Sequence, residues 1–276
     1  MNHSTKKRLD EVDQYYKPIT TLASVGSCFF WVIAALSLLM PYTTSFGTPS
    51  NRTVFQAIFI VLVLVHFTLS QILRFYLVPR AESMRRKHLL SDAFGTPLSH
   101  DRTCLYYNNH FHHSVQRLGA NTMENAYFSK EIAAAMLRRR RIVIGGYLVA
   151  WLLAFSLRHS DVTVLTWVTQ LVFSGQIIVQ WLNLEVLHLR HEHVYDKLHT
   201  YFLHEVGEDS QRAIASVLDA FVSYESAKSS AGLMLSTNVF QKLNPSLSEK
   251  WNRIRKELKM DFQPVVAPDA QNDALR

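Results

Sequence analysis

Residues 53–90 read TVFQAIFIVLVLVHFTLSQILRFYLVPRAESMRRKHLL. The first part, to Leu73, has no Asp, Glu, Lys or Arg; the rest carries Arg74, Arg80, Glu82, Arg85, Arg86 and Lys87. One such charge at a bilayer centre costs about 2.5–3.5 kcal/mol on insertion scales, so this switch marks a change of solvent. Three further charge-free runs follow the same logic. They are residues 22–40, closed by Pro41, a short run at 142–157, and 162–184. A hydrocarbon core of about 30 Å needs about 20 helical residues at 1.5 Å each, so the third run borrows His159 and Ser160 or thins the bilayer.

The expected fold class is therefore an all-α integral membrane protein, with four transmembrane helices and cytoplasmic helical segments. A soluble protein with buried helices is the alternative, and it seldom carries unbroken runs such as 57–65 flanked by arginines. The mean hydropathy of +0.01 is then an average over two solvents. The 276 residues are 48% hydrophobic and 18% charged, which excludes a disordered chain. A polar segment of seventeen residues precedes the first span, which reads as a signal anchor rather than a cleavable signal.

Lys and Arg beside the spans set the orientation. Lys6, Lys7, Arg8 and Lys17 precede the first, residues 74–87 follow the second, Arg138, Arg139, Arg140 and Arg141 precede the third, and Arg190 follows the fourth; the opposite loops hold only Arg52 and Arg158. Both termini are expected in the cytoplasm. The chain divides into a cytoplasmic tail (1–18), a transmembrane hairpin (19–78), a ligand-sensing helical segment (79–141), a second transmembrane hairpin (142–187), a cytoplasmic helical region (188–262) and a flexible tail (263–276). Asn51-Arg52-Thr53 matches a glycosylation sequon, a three-residue pattern too common to weigh. Cys28 and Cys104 imply no disulfide framework.

Within the cytoplasmic parts, Pro79 is expected to end the second span, residues 81–90 to continue as a basic helix, and Gly95-Thr96-Pro97 to break it. Asn121 and Glu124 have capping-box spacing and would open the next helix. The fourth span would project to about His204. A hairpin follows, with Ile214, Val217, Leu218, Phe221 and Val222 as its apolar stripe, and Asn244-Pro245-Ser246 opening a last helix.

Span four carries Gln170, Ser174, Gln176, Gln180 and Asn183, with several threonines, within half of a helical wheel that Phe173, Ile177 and Trp181 interrupt. Such a face suits a hydrophilic pore formed on oligomerisation, or hydrogen bonds inside a static bundle. Gly146, Ala150 and Ala154 suit close helix packing. His110, His112 and His113, with His188, His191 and His193 beside Glu185 and Glu192, raise a membrane-bound metalloenzyme acting on lipid; the spacing fits the histidine boxes of di-iron oxygenases poorly. Phosphate loops, nucleophile elbows and H-E-x-x-H are absent from the sequence, so no catalysis, cofactor or metal is expected. A non-catalytic scaffold on anionic lipid is a third reading.

Residues 85–129 combine Arg85, Arg86 and Lys87 with Asp92, Tyr106, Tyr107, Asn108, Asn109, Asn121, Glu124, Asn125 and Phe128. Cations for phosphate, aromatics for stacking and amides for base edges suit a nucleotide; the same residues also suit a juxtamembrane basic patch over an ordinary core. The net charge of +7 fits either anionic partner.

The run RKHLLSDAFG at 86–95, Tyr106-Tyr107-Asn108-Asn109, and Asn121-x-x-Glu124-Asn125-x-Tyr127-Phe128-Ser129, between the second and third spans, resemble the SMODS-associating four-transmembrane effector family. The resemblance extends over residues 17–260, and Ala126 departs from it where the family has a small polar residue. It implies a bacterial anti-phage effector of the CBASS type in the inner membrane, functionally linked to a nucleotidyltransferase or cyclase. A cyclic di- or oligonucleotide would drive homo-oligomerisation and permeabilise the membrane. No DNA or RNA partner is expected.

Overall fold

The computed structural model describes residues 9–39, 49–101, 103–104, 106–107, 109, 111–156, 177–204 and 210–260. The fold is all-helical. A short segment, β1 (Leu9–Asp10) and a 3₁₀ helix (Glu11–Tyr15), leads into α1 (Lys17–Leu39). Next come α2 (Pro49–Ile72), a π-helical turn (Leu73–Leu77) and α3 (Val78–Phe94). A loop containing β2 (Thr103–Cys104) connects to α4 (Val115–Ser156), followed by α5 (Ile177–His204), α6 (Gln211–Ala231) and α7 (Thr237–Glu257).

The stretch Thr53–Phe94 is one uninterrupted rod. Among the described residues it is the one helix long and apolar enough to cross a membrane, and none of its apolar window is buried within the chain. Its 42 residues extend about 63 Å, twice a hydrocarbon core, so the polar end must lie outside any bilayer the apolar end enters. Pro79 does not interrupt this helix, and residues 81–90 continue it. Pro79 sits in the first turn of α3, directly after the wide π turn, whose extra residue gives the proline ring room against the preceding carbonyls.

Residues 22–39 of the expected first span are helical in α1 and residues 142–156 of the third in α4; residues 40 and 157 lie outside the described residues. Residues 162–176 of the fourth lie outside the described residues. A Cβ at Gly146 would meet open space, so within one chain that small position packs against nothing.

The core forms where α4 lies against α3, α5, α6 and α7. Leu118, Met123, Tyr127, Val194, Leu198, Phe202, Val217, Tyr224 and Trp251 are its centre. Fully burying such a side chain is worth about 1.5–3 kcal/mol, so this cluster holds these helices together. The buried stripe of α6 is Ala213, Val217, Ala220, Tyr224, Ala227 and Ala231. Of the predicted stripe, Val217 alone is buried; Ile214, Leu218 and Val222 are exposed. Small alanines let α6 approach its neighbours more closely than the larger residues would. Gly119 does the same on α4, where a Cβ would stand 3.2 Å from Val217 Cγ1.

Two helix starts also differ from expectation. Helix α4 begins at Val115, where Ser114 Oγ accepts from the Arg117 amide, and runs unbroken for 42 residues. Asn121 and Glu124 are therefore interior and buried, not a cap. Helix α7 begins at Thr237, capped by Ser236, whose hydroxyl accepts from Val239 N; Pro245 lies inside it. Burial of Leu247 and Trp251 beyond the proline outweighs the lost backbone bond. The break after α3 lies where the sequence places it, and Gly95, at φ 66, caps α3; α5 is helical to His204, and residues 205–209 lie outside the described residues.

Candidate functional site

Eight segments converge on one cavity of about 290 Å³. Successive turns of α3 bring Glu82, Arg85 and Leu89 to it, α4 brings Asn125, Phe128, Ser129 and Ile132, α5 brings Leu187 and His191, and α6 brings Tyr224, Glu225 and Lys228. On α3, α4 and α5 these are i, i+3, i+4 and i+7 spacings, each a single helix face; on α6, Lys228 lies one turn after the adjacent pair Tyr224 and Glu225. Tyr106 of the long loop, Phe240 of α7, the 233–236 turn and the N-terminal Asp10, Asp13 and Tyr16 close it.

Two charged groups dominate the walls. Arg85 donates to both oxygens of Asp10, at 3.1 and 3.0 Å, and its guanidinium lies 4.5 Å from the Tyr106 ring centre and 5.5 Å from that of Tyr16. Bidentate pairing and stacking together hold it in one orientation. Lys228 Nζ stands 2.6 Å from Glu82 and 3.0 Å from Glu225, and Tyr16 donates its hydroxyl to Glu82 at 3.3 Å. Burial disfavours the Lys228 charge, but Tyr224 and the two carboxylates outweigh it and hold its pKa above the usual lysine value. Burial pushes the Glu225 carboxyl up; Lys228 opposes that shift. Burial, with Lys228 and His188 nearby, lowers the His191 pKa to about 3, so its imidazole is neutral, set 5.0 Å from the Tyr224 ring.

The sequence-predicted residues divide into three groups. Arg85, Tyr106, Asn125 and Phe128 meet at the cavity. Tyr107 lies behind its wall, stacked on His88 and accepting from Asn125 Nδ2 at 3.5 Å, while Arg86 is at the rim, 3.9 Å from Glu225. Asp92, Asn109 and Asn121 form a separate clamp. Arg117 donates to both Asp92 oxygens at 3.0 and 2.9 Å, Asn121 donates to Asp92 at 2.8 Å, and Asn109 donates to Asn121. That clamp fastens the 95–114 loop to α3 and α4, so these three residues act on the cavity only by placing Tyr106. Glu124 is buried and does not line it. Asn108 lies outside the described residues.

Of the predicted pore residues, Gln170, Ser174 and Gln176 lie outside the described residues. Gln180 accepts from Arg140 at 3.0 Å, and Asn183 is half-buried. One turn further on, Arg141 grips both oxygens of Glu185 at 2.7 Å, which also accepts from Trp181. Among the described residues no three His, Cys, Asp or Glu side chains converge as metal ligands. His188 donates to the Lys130 carbonyl and His113 to the Asp92 carbonyl, both serving structure.

Sequence reasoning missed Asp10, Tyr16, Glu82, Tyr224, Glu225 and Lys228. A signal existed for Lys228: it falls one turn after Tyr224 on the stripe of buried small residues, where a charge requires a partner. No protein-family model, curated protein or solved structure matches the chain.

Proposed function

We propose that the protein is a membrane effector of a bacterial nucleotide-second-messenger defence system. A cyclic di- or oligonucleotide binds in the cavity below the membrane and drives the spans to rearrange and oligomerise, opening the inner membrane. The observation that carries this reading is the joining of a charged, aromatic cavity to an exposed apolar rod through a single unbroken helix, Thr53–Phe94. Arg85 offers a fork for phosphate, Tyr106 and Phe128 offer rings for base stacking, and Asn125 offers an amide for a base edge. Four spans with both termini in the cytoplasm complete the arrangement, from the positive-inside pattern. Gln170, Ser174, Gln176, Gln180 and Asn183 line the opened path.

The cavity volume of 290 Å³ is just under the range of about 300–1,000 Å³ usual for small-molecule sites. A cyclic dinucleotide therefore requires a wider state, and its differential affinity for that state is what shifts the population. Calorimetric titration of the detergent-purified protein with cyclic di- and trinucleotides tests the binding step. Arg85→Gln and Tyr106→Ala should each weaken binding at least tenfold, while Asn109→Ala, in the loop clamp, should weaken it less. Equal affinity in wild type, Arg85→Gln and Tyr106→Ala contradicts the site.

A further inference from the structure

The cavity's charge balance opposes an anionic ligand. Four carboxylates, Asp10, Asp13, Glu82 and Glu225, line it against two cations, Arg85 and Lys228. Lys228 is already enclosed by two of those carboxylates, and Arg85 by a third. Two of the four belong to one short segment. Asp10 and Asp13 precede α1, and without them the cavity's carboxylates and cations are equal in number.

That segment is held by separable contacts. Leu9 and Asp10 pair antiparallel with Cys104 and Thr103 through backbone bonds, Val12 is wholly buried, and Gln14 donates to Asp101 at 3.0 Å. Tyr16 reaches Glu82, and Lys17, the next residue, begins α1. Residues 9–16 thus touch the cavity's cation at one end and continue into the apolar α1 at the other.

We propose that residues 9–16 are an internal plug: Asp10 occupies the Arg85 guanidinium in the resting protein, a ligand phosphate takes its place, and the expelled segment pulls on α1. This rests on the nucleotide reading above and adds how the site is kept closed. Displacement exchanges one oxyanion for another on the same bidentate fork, so the guanidinium is paired in both states. Loss of Asp10 and Asp13 from the lining supplies both the volume and the charge balance that the closed cavity lacks. A ligand that must first expel the plug binds more weakly by the fraction of open protein, a penalty that weakening the plug removes.

The test uses full-length protein in liposomes, with cyclic di-AMP, cyclic di-GMP, cyclic GMP-AMP and cyclic tri-AMP as probes. Hydrogen exchange of residues 9–16 is followed in wild type, Asp10→Asn, and Glu249→Gln as a distant control. Asp10→Asn should exchange at 9–16 about tenfold faster without nucleotide, and the half-saturating concentration of whichever probe binds should fall about tenfold. In wild type, that probe should accelerate exchange at 9–16 while protecting 82–89 and 125–132. Asp13→Asn, which leaves the Arg85 pair intact, should give a smaller gain in the same direction and keeps the test decisive if Asp10→Asn fails to insert. A probe that binds wild type but slows exchange at 9–16, or binds Asp10→Asn no more tightly, overturns the plug and leaves the nucleotide site standing. If none of the four protects the cavity in any variant, the nucleotide reading fails and the plug falls with it.

Discussion

Helix α4 runs without a break through two different surroundings, its first half inside the protein core and the described side chains of its second half largely exposed. Before Arg138–Arg141, Leu118, Met123, Ala133 and Leu137 are wholly buried against α3, α5, α6 and α7. After the arginines, Ile142, Val149 and Leu152 are 77%, 56% and 54% exposed, although Ile144 is buried. The second half is the more apolar, with no Asp, Glu, Lys or Arg from 142 to 156, yet its described apolar residues are the ones the chain leaves largely uncovered. In the first half hydrophobic residues are satisfied by the protein itself. In the second, the exposed ones are left uncovered by the chain itself. The rod Thr53–Phe94 repeats the pattern in reverse, apolar and exposed first, polar and partly buried afterwards.

The largest effect should come from breaking the protein-satisfied region. Trp251 is 2% exposed and stacks on Tyr127, so Trp251→Ala should cost about 3–5 kcal/mol, whereas Leu152→Ala should cost under about 1 kcal/mol in detergent. Thermal melts in one detergent compare them; equal losses would mean that the two halves are not different environments.

A sharper contrast holds exposure constant. Leu64 and Leu203 are 58% and 55% exposed, the first on α2 and the second near the end of α5. Leu64→Lys should cost about 2.5–3.5 kcal/mol of insertion and expose residues 53–73 to added protease in sealed vesicles, while Leu203→Lys leaves their protection unchanged. If Leu64→Lys leaves residues 53–73 as protected as in wild type, the rod does not cross the membrane.

The smallest effect is a pH dependence confined to the helical core. His191 is neutral when folded, with its pKa depressed to about 3 from 6.5. Unfolded chains bind its proton first, so its contribution is complete above pH 6.5 and declines as the pH falls toward 3. Between pH 7 and 5 the wild type should therefore lose more stability than His191→Leu, by about 1–2 kcal/mol. Parallel pH profiles would show that His191 is not desolvated.

Much of this architecture was legible in advance where local chemistry decides it. The apolar half of the rod Thr53–Phe94 and the break at Gly95 follow from a charge-free run and a helix breaker. Errors arose where tertiary contacts override a local signature. Asn121 and Glu124 match a capping box, yet Asp92, twenty-nine positions before Asn121, draws that asparagine into a buried clamp. Pro79 and Pro245 read as boundaries, but a π turn accommodates one and core burial outweighs the other. The cavity was half legible: Arg85, Tyr106, Asn125 and Phe128 lie in one sequence segment, whereas Asp10, Glu82, Glu225 and Lys228 meet only through folding. Their pairing by opposite charge leaves no trace in the spacing of any one of them.

The most direct test of a nucleotide-gated membrane effector is dye release from liposomes carrying the purified protein, titrated with cyclic di- and trinucleotides. The account predicts release with one nucleotide and not with the others, abolished by Arg85→Gln. Intact liposomes with every nucleotide, around protein shown to be folded and inserted, would contradict it.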